Sequence, residues 1–284
     1  MIRQKSFEKD GAALYLVATP IGNLEEMTPR AVSVLKEADV IAAEDTRNTG
    51  KLLKHFEIGT KMIAYHLFNE EESAEGIIKL LKEGKKVAVV SDAGYPLLSD
   101  PGQTVTNKAS ECGFPVVVVN GPNACLSALV GSGLPAQPFT FYGFLGSKKS
   151  ERVKALKKLE KHEETLVFYE APHRIGKMLE DCLEVLGDRR MCLARELTKI
   201  HEEFIRGTVS EVLEIADGLK GEMVVVMEGY RPEEETLKSE DWMTVIENYI
   251  AAGESKSSAI RKTAERFGIS KNEIYKEYFN KDHE

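Results

Sequence analysis

A carboxylate, an imidazole and a guanidinium are crowded into Tyr169-Glu170-Ala171-Pro172-His173-Arg174, and a second charged group follows at Arg195-Glu196-Leu197-Thr198-Lys199. Each comes directly after an apolar run that reads as a strand, where functional groups gather in α/β folds. Such residues can bind a polar ligand or move a proton. They can equally be a helix-start acid satisfied by the helix dipole and a surface ion-pair cluster. In the first half, three turns carry small residues: Thr19-Pro20-Ile21-Gly22-Asn23, the stretch Ser91-Asp92-Ala93-Gly94-Tyr95-Pro96-Leu97-Leu98-Ser99-Asp100-Pro101-Gly102, and Asn120-Gly121-Pro122-Asn123-Ala124. Any one could be an ordinary tight turn; three at successive strand ends point to backbone approaching a ligand. No turn contains G-x-G-x-x-G or G-x-x-x-x-G-K-[ST], so a ligand other than a nucleotide phosphate is favoured. Asp92 is suited to an amine or a ribose hydroxyl, although an aspartate after a strand also caps helices. Asp100 reads as an N-cap, with Pro101 at the first helical position.

The elements that must hold these groups follow from the pattern around them. Short apolar runs at Leu14 to Ala18, Val40 to Ala43, Lys86 to Val90 and Val116 to Val119 alternate with amphipathic segments, the signature of a parallel sheet flanked by helices. Thr28 and Pro29 open one helix, and Gly84 and Gly113 stand where left-handed residues end two others. The Gly- and Pro-rich stretch 131–146 is expected to connect two domains near its start. Strands are then expected at Thr165 to Tyr169, Met191 to Arg195, Glu203 to Thr208 and Met223 to Glu228, with a helix from about His173 to Leu186. The polar run RPEEETLKSE reads as a linker to a helical tail containing Trp242. The domains are thus expected at 1–134, 135–230 and 231–284.

Composition sets bounds on the whole. With 284 residues, 42% hydrophobic and 30% charged, the chain has room for two globular domains and an appendage. No apolar stretch approaches the roughly 20 residues of a membrane-spanning helix, and the N-terminal residues lack the pattern of a secretory signal. Cys112, Cys125, Cys182 and Cys192 are far apart without a C-x-x-C pair, which fits a reducing cytoplasm and implies no metal site. A net charge of −8 argues against polyanion binding by the whole surface, yet Ser147 to Lys158 holds six basic residues against one acid. That segment is either a phosphate-binding patch or a solvated helix face. In the tail, Gly253 to Lys262 and then Phe267 to Tyr275, with a Gly-containing turn and a second helix opened by Ser270, look like a helix-turn-helix.

Together these segments resemble the tetrapyrrole methylase superfamily, within it the branch that methylates a cytidine 2′-hydroxyl of ribosomal RNA. The resemblance covers nearly the whole chain. It is carried by Val17-Ala18-Thr19-Pro20-Ile21-Gly22-Asn23-Leu24, Glu44-Asp45-Thr46-Arg47, the Ser91 to Gly102 loop, Ser132-Gly133-Leu134-Pro135, Phe168 to Arg174, Arg195 to Lys199 and Gly221-Glu222. It implies two α/β domains with S-adenosylmethionine in the cleft between them, a small helical tail, and a homodimer. Pro20, Asp92, Gly94, Pro96, Leu97, Leu98, Ala124 and Cys125 are the expected cofactor residues on the first side, with Glu170, Ala194 and Glu222 opposite. Relatives that act on tetrapyrroles carry G-x-G-x-G-D after the first strand; TPIGN here is similar to the RNA-modifying branch. Three positions depart from that branch: Tyr95 replaces threonine, Asn123 serine and Gly146 proline.

Methyl transfer from a sulfonium is an in-line displacement governed mainly by alignment. Asp100, Glu196 and Lys199 are the candidates for accepting the hydroxyl proton, and Arg47, Lys148, Lys149 and Arg174 for contacting phosphates of small-subunit RNA. A tetrapyrrole or protein acceptor stays open as an alternative, as does a catalytically inactive nucleic-acid-binding protein.

Overall fold

The computed structural model of the chain describes residues 3–6, 11–65, 70–100, 102–232 and 242–280. Two compact units result, 1–229 and 230–284. In the first unit, strands β1 (Ala13–Val17), β2 (Val40–Ala43), β3 (Met62–Ala64), β4 (Lys86–Val90) and β5 (Val116–Val119) form a parallel sheet in the order β3-β2-β4-β1-β5. Helices α1 (Pro29–Glu37) and α2 (Thr46–His55) cover one face, where Ala31, Leu35 and Leu53 meet Val17, Ile41 and Val90. Helices α3 (Glu70–Lys82) and α4 (Gln103–Glu111) cover the other, where Ile77 and Val105 meet Leu14, Leu16 and Val89. Burial on both faces explains why these strands read as continuous apolar runs. The expected Thr28 cap is present, its hydroxyl accepting the Ala31 N–H at 3.1 Å, and Gly84 and Gly113 have φ of 87° and 79°.

Helix α5 (Ala124–Ser132) leads to a second, mixed sheet ordered β6-β7-β10-β8-β9. Its strands are β6 (Phe139–Phe144), β7 (Thr165–Glu170), β8 (Arg190–Arg195), β9 (Glu203–Thr208) and β10 (Met223–Met227). Alternation along β10 divides two cores: Met223, Val225 and Met227 face α6 (Lys149–Leu159), α7 (Ile175–Leu186) and α8 (Val209–Ala216), while Val224 and Val226 face Cys125, Ala128 and Leu129 of α5. Thus α5 follows the first sheet in the chain but packs on the second. The approach is close: a Cβ on Gly131 would lie 2.4 Å from the Phe204 ring.

The sequence reading missed β3 and β6. The first is three residues long and half-exposed, and the second is broken by Gly143 at a register shift and preceded by Pro135 and Pro138. The basic segment also differs from expectation at one position. Arg152 is buried on the inner face of α6, its Nε 2.5 Å from the buried Asp181 carboxylate, and contributes nothing to a surface patch.

The second unit contains α9 (Trp242–Ala251), α10 (Lys256–Phe267) and α11 (Lys271–Asn280) around Ile246, Ala259, Ile260 and Ile274. Ser255 caps α10 and Gly268 ends it in a left-handed turn, in the helix-turn-helix order expected. The expected linker overlaps 233–241, outside the described residues. No described helix is long and apolar enough to cross a membrane.

Candidate functional site

β1 and β4 are neighbours whose onward helices, α1 and α4, cover opposite faces of the sheet, the arrangement in which α/β folds place a crevice at the strand ends. These loops are tied by a reciprocal bridge, Thr19 N–H to Gly94 O at 2.9 Å and Gly94 N–H to Thr19 O at 3.0 Å. Over the crevice stand the ends of β7 and the turns before β10 and after β8. A cavity of about 380 Å³ lies between. Asp92, Gly94, Leu98, Asp100 and Ala124 line it from the first sheet, and Glu170, Leu197 and Glu222 from the second.

Backbone strain is concentrated at this cavity. Of the five described non-glycine residues with positive φ, Leu97, Ser99, Glu196 and Thr198 lie in its two bordering loops. Such conformations cost on the order of 1–3 kcal/mol each and persist where the surroundings enforce them. At Gly221 the enforcement is visible: φ is 91°, and a Cβ would sit 2.3 Å from Glu196 Oε1.

The acidic groups differ in surroundings. Asp100 is not the cap of α4: Gly102 occupies that position without a side-chain bond, and Pro101 lies outside the described residues. The Asp100 carboxyl instead faces the cavity beside Ser91. Burial, reinforced by the negative charges of Glu44 and Asp92, pushes it up to about 6 against the opposing Ser91 hydrogen bond. Asp92 accepts from the Asn48 amide at 3.0 Å, and its N–H donates to Glu44 Oε2 at 3.3 Å. Glu170 is buried; its Oε1 accepts the Ala171 N–H at 2.8 Å and lies 3.1 Å from Arg174 Nε. Its Oε2 is buried with no hydrogen-bond partner among the described residues. Along β7, Glu170 shares the face of Leu166 and Phe168, so its carboxylate is enclosed on the helix-covered side, with Arg174 as its counter-charge.

Glu196 and Lys199 lie beside the cavity. The Lys199 ammonium is 2.9 Å from both Glu196 Oε1 and Glu222 Oε2. Burial opposes its charge, yet the hydrogen bonds of Glu222 and Glu196 hold it above its ordinary range, and the Lys199 bond keeps Glu196 below its own. Lys199 is therefore a fixed cation and Glu196 a weak base.

The remaining expected residues are elsewhere. Pro20 lines an adjoining cavity, Pro96 is buried within the Ser91 to Gly102 loop and Leu97 of the same loop packs against the first core, and Cys125 and Ala194 belong to the core between α5 and the second sheet. Arg174 donates to the Leu145 and Gly146 carbonyls at 2.7 and 3.3 Å, which holds the segment after β6 rather than presenting a free cation. Lys149 pairs with Asp181 and Glu184, Lys148 weakly with Glu151, and the exposed Arg47 with Asp45.

Several lining residues were absent from the expected set, among them Tyr169, Phe144, Ile21 and Glu44. Phe144 follows from the overlooked strand. Tyr169 was visible beside Glu170, but only the fold shows its hydroxyl, pushed up to about 12 by burial, meeting the Cys125 backbone at the start of α5. The departures at 95 and 123 have structural roles: the Tyr95 hydroxyl accepts the Gly121 N–H at 3.2 Å, and the Asn123 carbonyl caps α5 by accepting the Leu126 N–H at 2.9 Å.

Comparison with known proteins is consistent along the chain. Residues 13–213 match the family of Tetrapyrrole (Corrin/Porphyrin) Methylases. A relative from Bacillus subtilis (strain 168), named ribosomal RNA small subunit methyltransferase I, is 48% identical over 97% of this chain and 98% of its own. One of the same name from Halalkalibacterium halodurans is 45% identical over 98% and 99%. Among solved structures, uroporphyrin-III C-methyl transferase from Thermus thermophilus, complexed with S-adenyl homocysteine, superposes with a TM-score of 0.55 at 20% identity over 76% of this chain and 97% of that one.

Proposed function

The chain belongs to the tetrapyrrole methylase family and is a methyltransferase, and from that premise we propose that it methylates the 2′-hydroxyl of a cytidine in small-subunit ribosomal RNA, with S-adenosylmethionine as donor. What carries this reading is the near-full-length similarity to relatives named for that RNA, combined with a cavity suited to the donor. S-adenosylmethionine combines a cationic end, ribose hydroxyls and a flat base. The residues fit it: Asp92 and Glu222 offer carboxylates, and Ile21, Leu98, Phe144 and Val224 give apolar walls. Asp92, Gly94, Leu98, Ala124, Glu170 and Glu222 would hold it; Pro96, Leu97, Cys125 and Ala194 support that wall from beneath. When bound, it supplies an electrophilic methyl group on a positively charged sulfur.

The protein's task is to bring one ribose oxygen into line and remove its proton. Asp100 is the proton acceptor in this reading, because a carboxylate that titrates near 6 is a stronger base than an ordinary one and is still ionised at neutral pH. Lys199, held as an ammonium, and Glu196 act by fixing Glu222 at the cavity edge. Arg47, Lys148 and Lys149 are the proposed phosphate contacts, with Arg174 shaping the rim. The reaction is placed in the cytoplasm. Leu126 and Val130, one turn apart and exposed on α5, offer an apolar face for a second copy in a homodimer.

The test is transfer of labelled methyl from S-adenosylmethionine to undermethylated small ribosomal subunits, followed by nuclease mapping. Label in a 2′-O-methylcytidine is the expected result; label on a base, or none despite cofactor binding, refutes the assignment.

A further inference from the structure

Beside the main cavity lies a second one of about 240 Å³, and Asp92 lines both. Pro20, Gly22 and Leu24 of the β1 loop form one side, and Asn48, Lys51 and Leu52 of α2 the other. Its volume is below the roughly 300–1,000 Å³ of pockets that enclose whole small molecules, and suits a fragment such as one nucleobase. The walls have matching chemistry. Pro20, Leu24 and Leu52 give apolar surfaces for the faces of a flat ring. The Asn48 amide gives one bond to Asp92 through Nδ2 and retains a second N–H and its carbonyl oxygen. That leaves an adjacent donor and acceptor, complementary to the N3 acceptor and N4 amino donor of cytosine. Lys51 is exposed at the mouth, where a phosphate would pass.

We propose that this second cavity receives the base of the nucleotide being methylated, with Asn48 reading its Watson–Crick edge and the ribose lying across Asp92 toward the main cavity. The inference rests on the RNA-methylation reading above and adds to it a specificity residue and a reason for two cavities to share one wall. Bases acted on individually are read this way, unstacked and recognised on their edge. Pro20 then belongs to the substrate side, not the cofactor side.

The decisive experiment compares the unaltered protein with Asn48→Ala on undermethylated small subunits carrying either cytidine or uridine at the target position. The expected result is a preference for cytidine over uridine that falls about tenfold, the discrimination that a pair of base-edge hydrogen bonds supplies; cofactor affinity, which Asn48 touches through Asp92, cancels from this ratio. A preference equal to that of the unaltered protein overturns the subsite alone. Absence of methyl transfer by the unaltered protein overturns the RNA reading and the subsite together. A measurement without any variant decides independently: photocrosslinking from a 5-iodocytidine at the target position, which keeps the cytosine Watson–Crick edge, should label residues 19–24 or 48–52, and label confined to other segments refutes the proposal.

Discussion

At the scale of single residues, the cavity separates groups that the sequence could only set side by side. Asp100 illustrates both the reach of that reading and its limit. An aspartate before proline is a common helix-start signal, and nothing local reveals that Leu97 and Ser99, both with positive φ, turn the loop so that the carboxyl enters the cavity. Asp100→Asn should lower methyl transfer by about 10²–10⁴-fold, the usual worth of general-base assistance, with cofactor affinity retained. In the unaltered protein, single-turnover rates should fall about tenfold per pH unit below about 6. The same group has a stability signature of defined sign. Its pKa is raised from 3.8, so its contribution is fully present below that value and is lost as pH rises through about 6. Asp100→Asn should therefore raise the melting temperature more at neutral pH than near pH 4.

At the scale of elements, most of the first sheet was legible because its strands are uniformly apolar and its helices carry ordinary caps; β2, β4 and β5 have the expected bounds. What escaped was β6, where prolines and a glycine mask a strand held in place by pairing with β7 and by the arginines beside it. The candidate site was legible as loops but not as contacts, since Phe144 depends on that strand and Leu197 on a turn strained at Glu196 and Thr198. Asn123 tests the cap of α5. Asn123→Ala should cost about 1 kcal/mol in denaturant unfolding while Asn123→Ser retains most of it, because serine also accepts at an N-cap. Between α6 and α7, Asp181→Ala leaves Arg152 buried and without its carboxylate and should cost about 3–5 kcal/mol in the same experiment.

At the scale of the whole molecule, a chain of net charge −8 must meet a polyanion through local cations. Binding to small subunits should weaken as salt rises, and Arg47→Ala and Lys148→Ala should each reduce the log–log salt slope by about one. Helix α5 has a consequence of another kind. Its inner face, Cys125, Ala128 and Leu129, is roofed by the second sheet although its chain neighbours lie in the first. Severing the backbone at the expected join near residue 134 would thus not yield two soluble halves. One fragment would end in an uncovered oily helix and the other would expose the sheet face that fits it, so each alone is prone to aggregate. Produced together, they have a built-in means of finding one another, which makes that join a natural place for a split reporter whose reassembly restores the cleft.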